Sequence, residues 1–449
     1  MYSRLPQRAA AANDVVVTGL GVVLAGCDSR ERFWEQLRDG DSQLKIGPDP
    51  SGGPDPLALG RVEAFDARRY LTGVDERLYA QHGRAVQMYL AALVQARADA
   101  SLSLSRCDSE RVGLFQGTSR DSFDYWHQKY QTLLAEPQAP GDAYTRRDLL
   151  VGMPSIGPGL AAAILQIQGP TYSFSASCCS GAVAIGHAFR EIATGGLDVA
   201  FAGGHDSALC APIFAMYRNA GLLSSERRDA SRAIRPFHGS AGNAFGEGAV
   251  VLVLESRQHA ERRGARVFAT IAGFSHGNGG VHPTHVDSSG ERPARLIRSV
   301  LTQGNLESVD VGLVVGHGNG VDQSDRSELA YMHRAFDGHA AGISLVSTKP
   351  LWGHTLGASS AVNVAAAVMM AHQGVMTSLA TRPHLANGST APVSGGARLK
   401  APAIVCVSMG IGGNNTAVLV CRSDGTRPAE ALPVPLGREA TDARVMAAS

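Results

Sequence analysis

Eight short, almost wholly apolar runs recur along the chain with helix-like segments between them, and they constrain the fold more than any other feature. The first four are VVVTGLGVVLAG (15–26), VGLFQG (112–117), LDVAFAGG (197–204) and AVVLVLE (249–255). The second four are VFATIAGF (267–274), VGLVVGHG (311–318), GISLVS (342–347) and APAIVCVSMG (401–410). A strand that alternates apolar and polar residues wets one face, whereas one that is apolar throughout is covered on both, as in a sheet between helix layers. ERFWEQLRDG, after the first run, has helical spacing. Two successive series of this kind predict an α/β protein with parallel or mixed sheets, internally duplicated about a break near residue 260. The chain's 449 residues can supply both halves with a core. After Arg422 the apolar period is lost and scattered prolines predict a flexible tail over 423–449. RDSFDYWHQKYQTLLAEPQAPGDAY reads as a surface or dimer-contact insertion.

The charge balance removes several function classes. Forty-one basic and 40 acidic side chains leave +1, so no strong field draws the chain to nucleic acid or to an anionic membrane. The opening MYSRLPQRAAAAND lacks a signal-peptide core, and no stretch approaches the roughly 20 apolar residues of a membrane span. Seven cysteines, at 27, 107, 178, 179, 210, 406 and 421, form neither a disulfide framework nor paired CxxC motifs. These features predict a reduced, cytoplasmic protein.

Three segments carry chemistry. GPTYSFSASCCSGAVAIGHAFREI begins as a strand, turns through small residues and continues as a helix whose inward face is Ala182, Ile185, Ala188 and Phe189. This sets Cys178 near a helix start, where backbone N–H groups and the helix dipole favour a thiolate and can hold an oxyanion. Alone, Cys178 and Cys179 would read as small core residues. Two further loops change the balance. VVGHGNGVDQSD puts His317 after an apolar strand, and STKPLWGHTLGASS puts His354 in a similar loop, five residues after Lys349. Loops at strand ends are where α/β enzymes keep their catalytic groups. Neither loop has HxxxH or HExxH spacing, so no metal site is expected, and no cofactor. His276, His282 and His285 in HGNGGVHPTH read as a surface loop. SMGIGGNN (408–415) is a glycine-rich turn able to bring backbone N–H groups to a ligand.

In this order SCCSGA, HGNGVDQSD, KPLWGHTLGAS and SMGIGGNN resemble the motifs of the elongating β-ketoacyl synthases of fatty acid and type II polyketide assembly, across roughly residues 14–422. VVVTGLGVV, AGGHDSAL and GEGAVVLVLE around Glu247 accompany them. The resemblance implies a thiolase-like fold, two similar α/β/α halves (14–260 and 261–422) forming a five-layered core. It implies a decarboxylative Claisen condensation in which Cys178 accepts an acyl group and His317 and His354 act on a malonyl thioester, with Lys349 orienting the histidines. The backbone N–H groups of Cys178 and Ile411 would form the oxyanion hole. The implied partners are an acyl carrier protein and a second subunit, either identical or resembling a chain-length factor.

The chain departs from the family pattern at several positions. The glycine turn carries Met409 and Ile411 where two phenylalanines usually gate the acyl pocket. Asn319 and Val321 replace hydroxyl residues that contact phosphopantetheine, with Asn415 the third expected contact. Asn363 stands where many relatives have a glutamate partnering the lysine, which leaves the charge partner of Lys349 open. RPFHGSAGNAFGEG is shorter than usual and lacks its acidic residues. These differences point to a specialised polyketide, polyene or fatty acid pathway. The alternatives are a non-condensing partner subunit, and a cysteine acyltransferase or thioester hydrolase that forms no carbon–carbon bond.

Overall fold

The computed structural model describes residues 14–423 except 137–139, 240, 284–285, 385–388 and 393–395. All but the first residue of the expected tail, and His285, therefore lie outside the described residues.

The apolar runs form the strands of one continuous sheet. In the first half these are β1 (Val15–Val23), β2 (Val112–Gly117), β3 (Thr171–Phe174), β4 (Val199–Asp206) and β5 (Gly248–Ser256), in spatial order β1-β5-β4-β2-β3. In the second half they are β6 (Ala269–Asn278), β7 (Val311–Val315), β8 (Ser344–Val346), β9 (Ala403–Met409) and β10 (Asn414–Arg422), in spatial order β6-β10-β9-β7-β8. The two orders are the same, and so are the directions. In each half the first strand pairs antiparallel with the last, the last antiparallel with the fourth, and the rest run parallel. The halves are joined where Val15–Val17 of β1 pairs antiparallel with Ala269–Ile271 of β6. Thr381–His384 and Ser389–Pro392 extend the β8 edge.

Helices cover both faces. They include α1 (Arg84–Asp99), α2 (Phe123–Ala135), α3 (Ser180–Ala193), α4 (Ala211–Asn219), α5 (Glu291–Gln303), α6 (Asp322–Phe336) and α7 (Ser359–Gln373). Val86, Leu90 and Leu93 of α1 pack on Leu114, Phe201 and Val251, one outer layer. Ile297 and Val300 of α5 and Tyr331 of α6 pack on Val314, Val405 and Leu419, the other outer layer. Between the two half-sheets lie α3 and α7, where Ala182, Ile185, Val364 and Ala365 meet Leu252 and Ile404. The result is the expected α-β-α-β-α stack. Helix α7 is buried from Ser359 to Ala371, and its sequence is small and apolar all round, as a helix with no solvent face requires. No helix among the described residues is long and apolar enough to cross a membrane.

Candidate active site

The segment carrying Cys178, the candidate nucleophile, is held in a tight turn between β3 and α3. Ser177 has a left-handed backbone, φ +53°, which is costly for a residue with a side chain and needs surrounding structure to hold it. Three bonds do so. Ser180 Oγ accepts from the Ala176 N–H at 2.9 Å and donates to the Ser177 carbonyl at 2.6 Å, and Ser177 Oγ donates to the Ile411 carbonyl at 2.8 Å. Cys178 follows, buried, two residues before the first residue of α3. Its neighbour Cys179 is structural, its thiol turned to the Ser408 and Asn414 carbonyls at 3.3 and 3.5 Å.

The glycine turn after β9 lies against this segment. A Cβ added to Gly410 would stand 3.1 Å from the Ala176 carbonyl oxygen and 3.4 Å from the Cys178 backbone nitrogen, so the two backbones approach closely and a side chain there would be a tight fit. Beside it, Met409, Ile411, Asn319 and Asn415 line one cavity together with His282, a residue the sequence left in a surface loop. Val321 is outside that lining. Met409 is packed into the core, while Ile411 is 47% exposed.

Both histidines lie in the second half, His317 just after β7 and His354 after the helical turn Lys349–Trp352 that follows β8. The His317 and His354 rings stand edge to face with centroids 5.5 Å apart. The Leu356 N–H donates to His354 Nδ1 at 3.0 Å, which leaves the ring proton on Nε2. The His354 main chain is fixed by its own N–H on the Ala244 carbonyl at 2.8 Å. Burial holds both imidazoles well below the ordinary histidine range, reinforced by the nearby Lys349 charge, so both are neutral.

Lys349 Nζ donates to the His317 carbonyl, and the acidic groups near it are Glu328 and Asp325. Glu328 accepts from the His317 N–H at 2.7 Å, the Gly318 N–H and the Tyr331 hydroxyl at 2.8 Å. Asn363 is not the partner: its Oδ1 accepts from Thr348 Oγ1 at 2.7 Å and its Nδ2 donates to the Gly316 carbonyl at 3.0 Å. Burial lowers Lys349 and raises Glu328. Burial also pushes the Cys178 thiol up to about 11, against the pull of Lys349 and Arg120. Cys178 therefore rests as a thiol.

Asp206 was visible in the sequence only as part of a landmark, and it ties the two halves of the site together. Fully buried at the end of β4, it accepts from Thr118 Oγ1 at 3.0 Å, from the N–H groups of Ser119, Arg120 and Asp121 at 3.0, 2.9 and 3.2 Å, and from the Gly357 N–H at 2.6 Å. Gly357 belongs to the His354 turn, and a Cβ there would come within 2.5 Å of the Ser119 nitrogen. Nothing in the local pattern around Asp206 or Glu328 distinguishes them, because their acceptor role exists only after distant segments meet. No group of side chains suited to holding a metal occurs among the described residues.

Comparison with known proteins matches residues 12–260 to the β-ketoacyl synthase N-terminal domain and residues 268–381 to the β-ketoacyl synthase C-terminal domain. A putative polyketide β-ketoacyl synthase 1 of Streptomyces halstedii is 32% identical over 380 residues, covering 80% of this chain and 86% of that protein. Among solved structures, the ishigamide ketosynthase/chain length factor superposes with TM-score 0.81 at 24% identity, over 92% of this chain and 99% of the other. A type II polyketide synthase acyl-carrier protein in complex with its ketosynthase, bound to the hexaketide, gives TM-score 0.81 at 25% identity, over 92% and 100% of the two chains.

Proposed function

Because the chain belongs to the β-ketoacyl synthase family of acyl-transferring condensing enzymes, we propose that it joins an acyl chain held on Cys178 to a malonyl unit, with loss of carbon dioxide. Both substrates arrive as thioesters of an acyl carrier protein, in line with the solved carrier–ketosynthase complex. The observation that carries the reading is the His354 tautomer. With Nδ1 accepting from Leu356, the ring can only donate from Nε2, which is what an enolate oxygen needs.

In the first step the Cys178 sulfur attacks the acyl thioester carbonyl. The acyl–sulfur bond to Cys178 forms as the bond to the carrier breaks, and the thiol proton leaves with the carrier thiol. The backbone N–H groups of Cys178 and Ile411 receive the tetrahedral oxyanion, and loss of one such donor typically costs about 100- to 1,000-fold in rate. The malonyl thioester then places its carbonyl between His317 and His354. Carbon dioxide departs, the enolate is held by the two neutral imidazoles, and its carbon attacks the Cys178 thioester carbonyl; the new carbon–carbon bond forms as the acyl–sulfur bond breaks, and the released Cys178 thiolate takes a proton from water to become the thiol again. Lys349 acts through the His317 carbonyl as a positioning residue. Asn319, Val321 and Asn415 take the pantetheine arm, and Met409 and Ile411 gate the acyl pocket. The halves 14–260 and 261–422 supply nucleophile and donors respectively. The enzyme works in the cytoplasm, consistent with seven free cysteines, in a specialised polyketide, polyene or fatty acid pathway, and as a dimer with an identical or a chain-length-factor-like subunit.

The test is intact-mass analysis of enzyme mixed with acyl- and malonyl-carrier protein. Native enzyme should yield a β-ketoacyl carrier, Cys178→Ala neither adduct nor product, and His354→Ala an acyl adduct without product. A product made by Cys178→Ala overturns the reading.

A further inference from the structure

We propose that Cys107, paired with His259, is a reactive thiol outside the condensing site, and that it takes a carboxylate-bearing low-molecular-weight disulfide by thiol–disulfide exchange. The inference uses none of the residues of that site and stands independently of the condensing reading.

Three side chains from separate segments meet here. Cys107 lies in the turn before β2, Glu255 near the end of β5 and His259 in the helix Arg257–Arg262. Cys107 Sγ is 3.8 Å from His259 Nε2, and His259 Nδ1 is 2.5 Å from Glu255 Oε2. A thiol within reach of an imidazole whose far nitrogen is oriented by a carboxylate is the arrangement that activates a cysteine nucleophile. Glu255 is wholly buried and is held in turn by Arg263 and Thr18, so the imidazole has a rigid backing. Cys107 and Glu255 raise His259 to about 9, so near neutral pH both ring nitrogens carry protons and Nε2–H faces the sulfur. The Ser103 carbonyl, 3.6 Å from Sγ, fixes the other side of the sulfur. The remaining charges around the pair are Asp198, which Arg111 holds at 2.8 and 3.0 Å, and Arg262.

The sulfur is also reachable. Five of the seven cysteines are buried, whereas Cys107 is half-buried and lines an open groove of about 770 Å³ together with Ser103, Ser105, Ser109 and Ile164. That volume lies within the roughly 300–1,000 Å³ of small-molecule sites. Arg97 is the one charged side chain among the described residues of the groove, and its Nε donates to the Leu102 carbonyl at 3.3 Å. A guanidinium placed there suits a carboxylate on the incoming disulfide. The groove is remote from Cys178. It adjoins the start of β2, whereas the loop that binds Asp206 leaves the end of that strand, about 20 Å away for six extended residues.

In the exchange the Cys107 sulfur, its proton held on His259, attacks one sulfur of the disulfide. The new sulfur–sulfur bond forms as the old one breaks, and the departing thiolate takes the proton from His259 Nε2. Cys107 is oxidised and the departing sulfur reduced, so the disulfide is the only oxidant required.

The test measures, by intact mass and peptide mapping, the rate at which oxidised glutathione modifies Cys107 in the native full-length protein at pH 6.5. The reference is a peptide of residues 103–111, which keeps the local sequence and lacks His259. Cys107 in the protein should react about 10-fold faster, since a larger thiolate fraction is partly offset by lower nucleophilicity. His259→Gln should bring the rate to near that of the peptide, and the native advantage should shrink toward one near pH 9, where an ordinary thiol ionises unaided. Should His259→Gln fail to fold, the native-to-peptide ratio and its pH dependence decide. Cystamine, a cationic disulfide, should react more slowly than oxidised glutathione, and Arg97→Gln should narrow that difference. Cys107 reacting no faster than the peptide, or a folded His259→Gln that keeps the native rate, overturns the proposal. Cystamine reacting as fast or faster overturns its assignment to an anionic disulfide.

Discussion

Burial sets opposite defaults for the groups proposed to react: Cys178 stays protonated, while His317 and His354 stay unprotonated. Decarboxylation needs the imidazoles as neutral donors, so its rate should be flat on the acid side down to about pH 6, where an ordinary histidine would already be titrating. Lys349 is lowered, so its charge is present at low pH and is lost as pH rises, below the ordinary lysine value of about 10.4. Malonyl decarboxylation should therefore decline on an alkaline limb. Lys349→Met should remove that limb and slow the reaction on the order of 100-fold, the cost of a misplaced catalytic group; an unchanged pH profile in the variant would exclude a positioning role. At this scale the sequence was informative where a residue type is rare in its setting: a cysteine in a small-residue turn, and histidines after apolar strands. Glu328 and Asp206 escaped notice because they are ordinary polar residues most of whose partners lie between 10 and 151 positions away.

Among the elements, the corner between β5 and the helix Arg257–Arg262 shows how a buried carboxylate anchors a layer. Glu255 is wholly buried and accepts from Arg263 at 2.5 and 2.8 Å, from His259 at 2.5 Å and from Thr18 of β1. The Cys107 side chain and Glu255 raise His259 to about 9, and the cluster lowers Glu255 to about 2 despite burial. Since the folded His259 holds its proton more tightly than the unfolded one, its contribution is complete below about 6.5 and is lost as pH rises through about 9. Glu255→Gln should cost about 3 kcal/mol, by leaving two cations without their carboxylate, and should flatten that alkaline loss in thermal melts. Element positions were largely legible. VGLFQG spans β2 as read, and 15–26, 249–255 and 401–410 each contain or closely match a strand. Strand β10 was missed because the glycine turn preceding it drew the reading toward a ligand loop.

For the whole molecule, the repeated strand order leaves β3 at one end of the sheet with Thr171 and Tyr172 exposed. Ser173 Oγ ties this edge to the Pro154 carbonyl at 2.7 Å, after a stretch that exposes Leu149, Leu150 and Met153. An apolar, unpaired edge of this kind invites strand addition. The protein should sediment as a dimer, and Tyr172→Asp should shift it toward monomer; a native monomer that dimerises only with a second synthase-like subunit would assign the heterodimer. The duplication was legible as two series of apolar runs, but not the identity of the two strand orders, which depends on pairings between distant segments. The bonds around Asp206 carry a last consequence, for motion. One carboxylate grips both the loop after β2 and the turn that carries His354. Displacing either segment would break bonds to the same carboxylate, so the two are mechanically tied to one another.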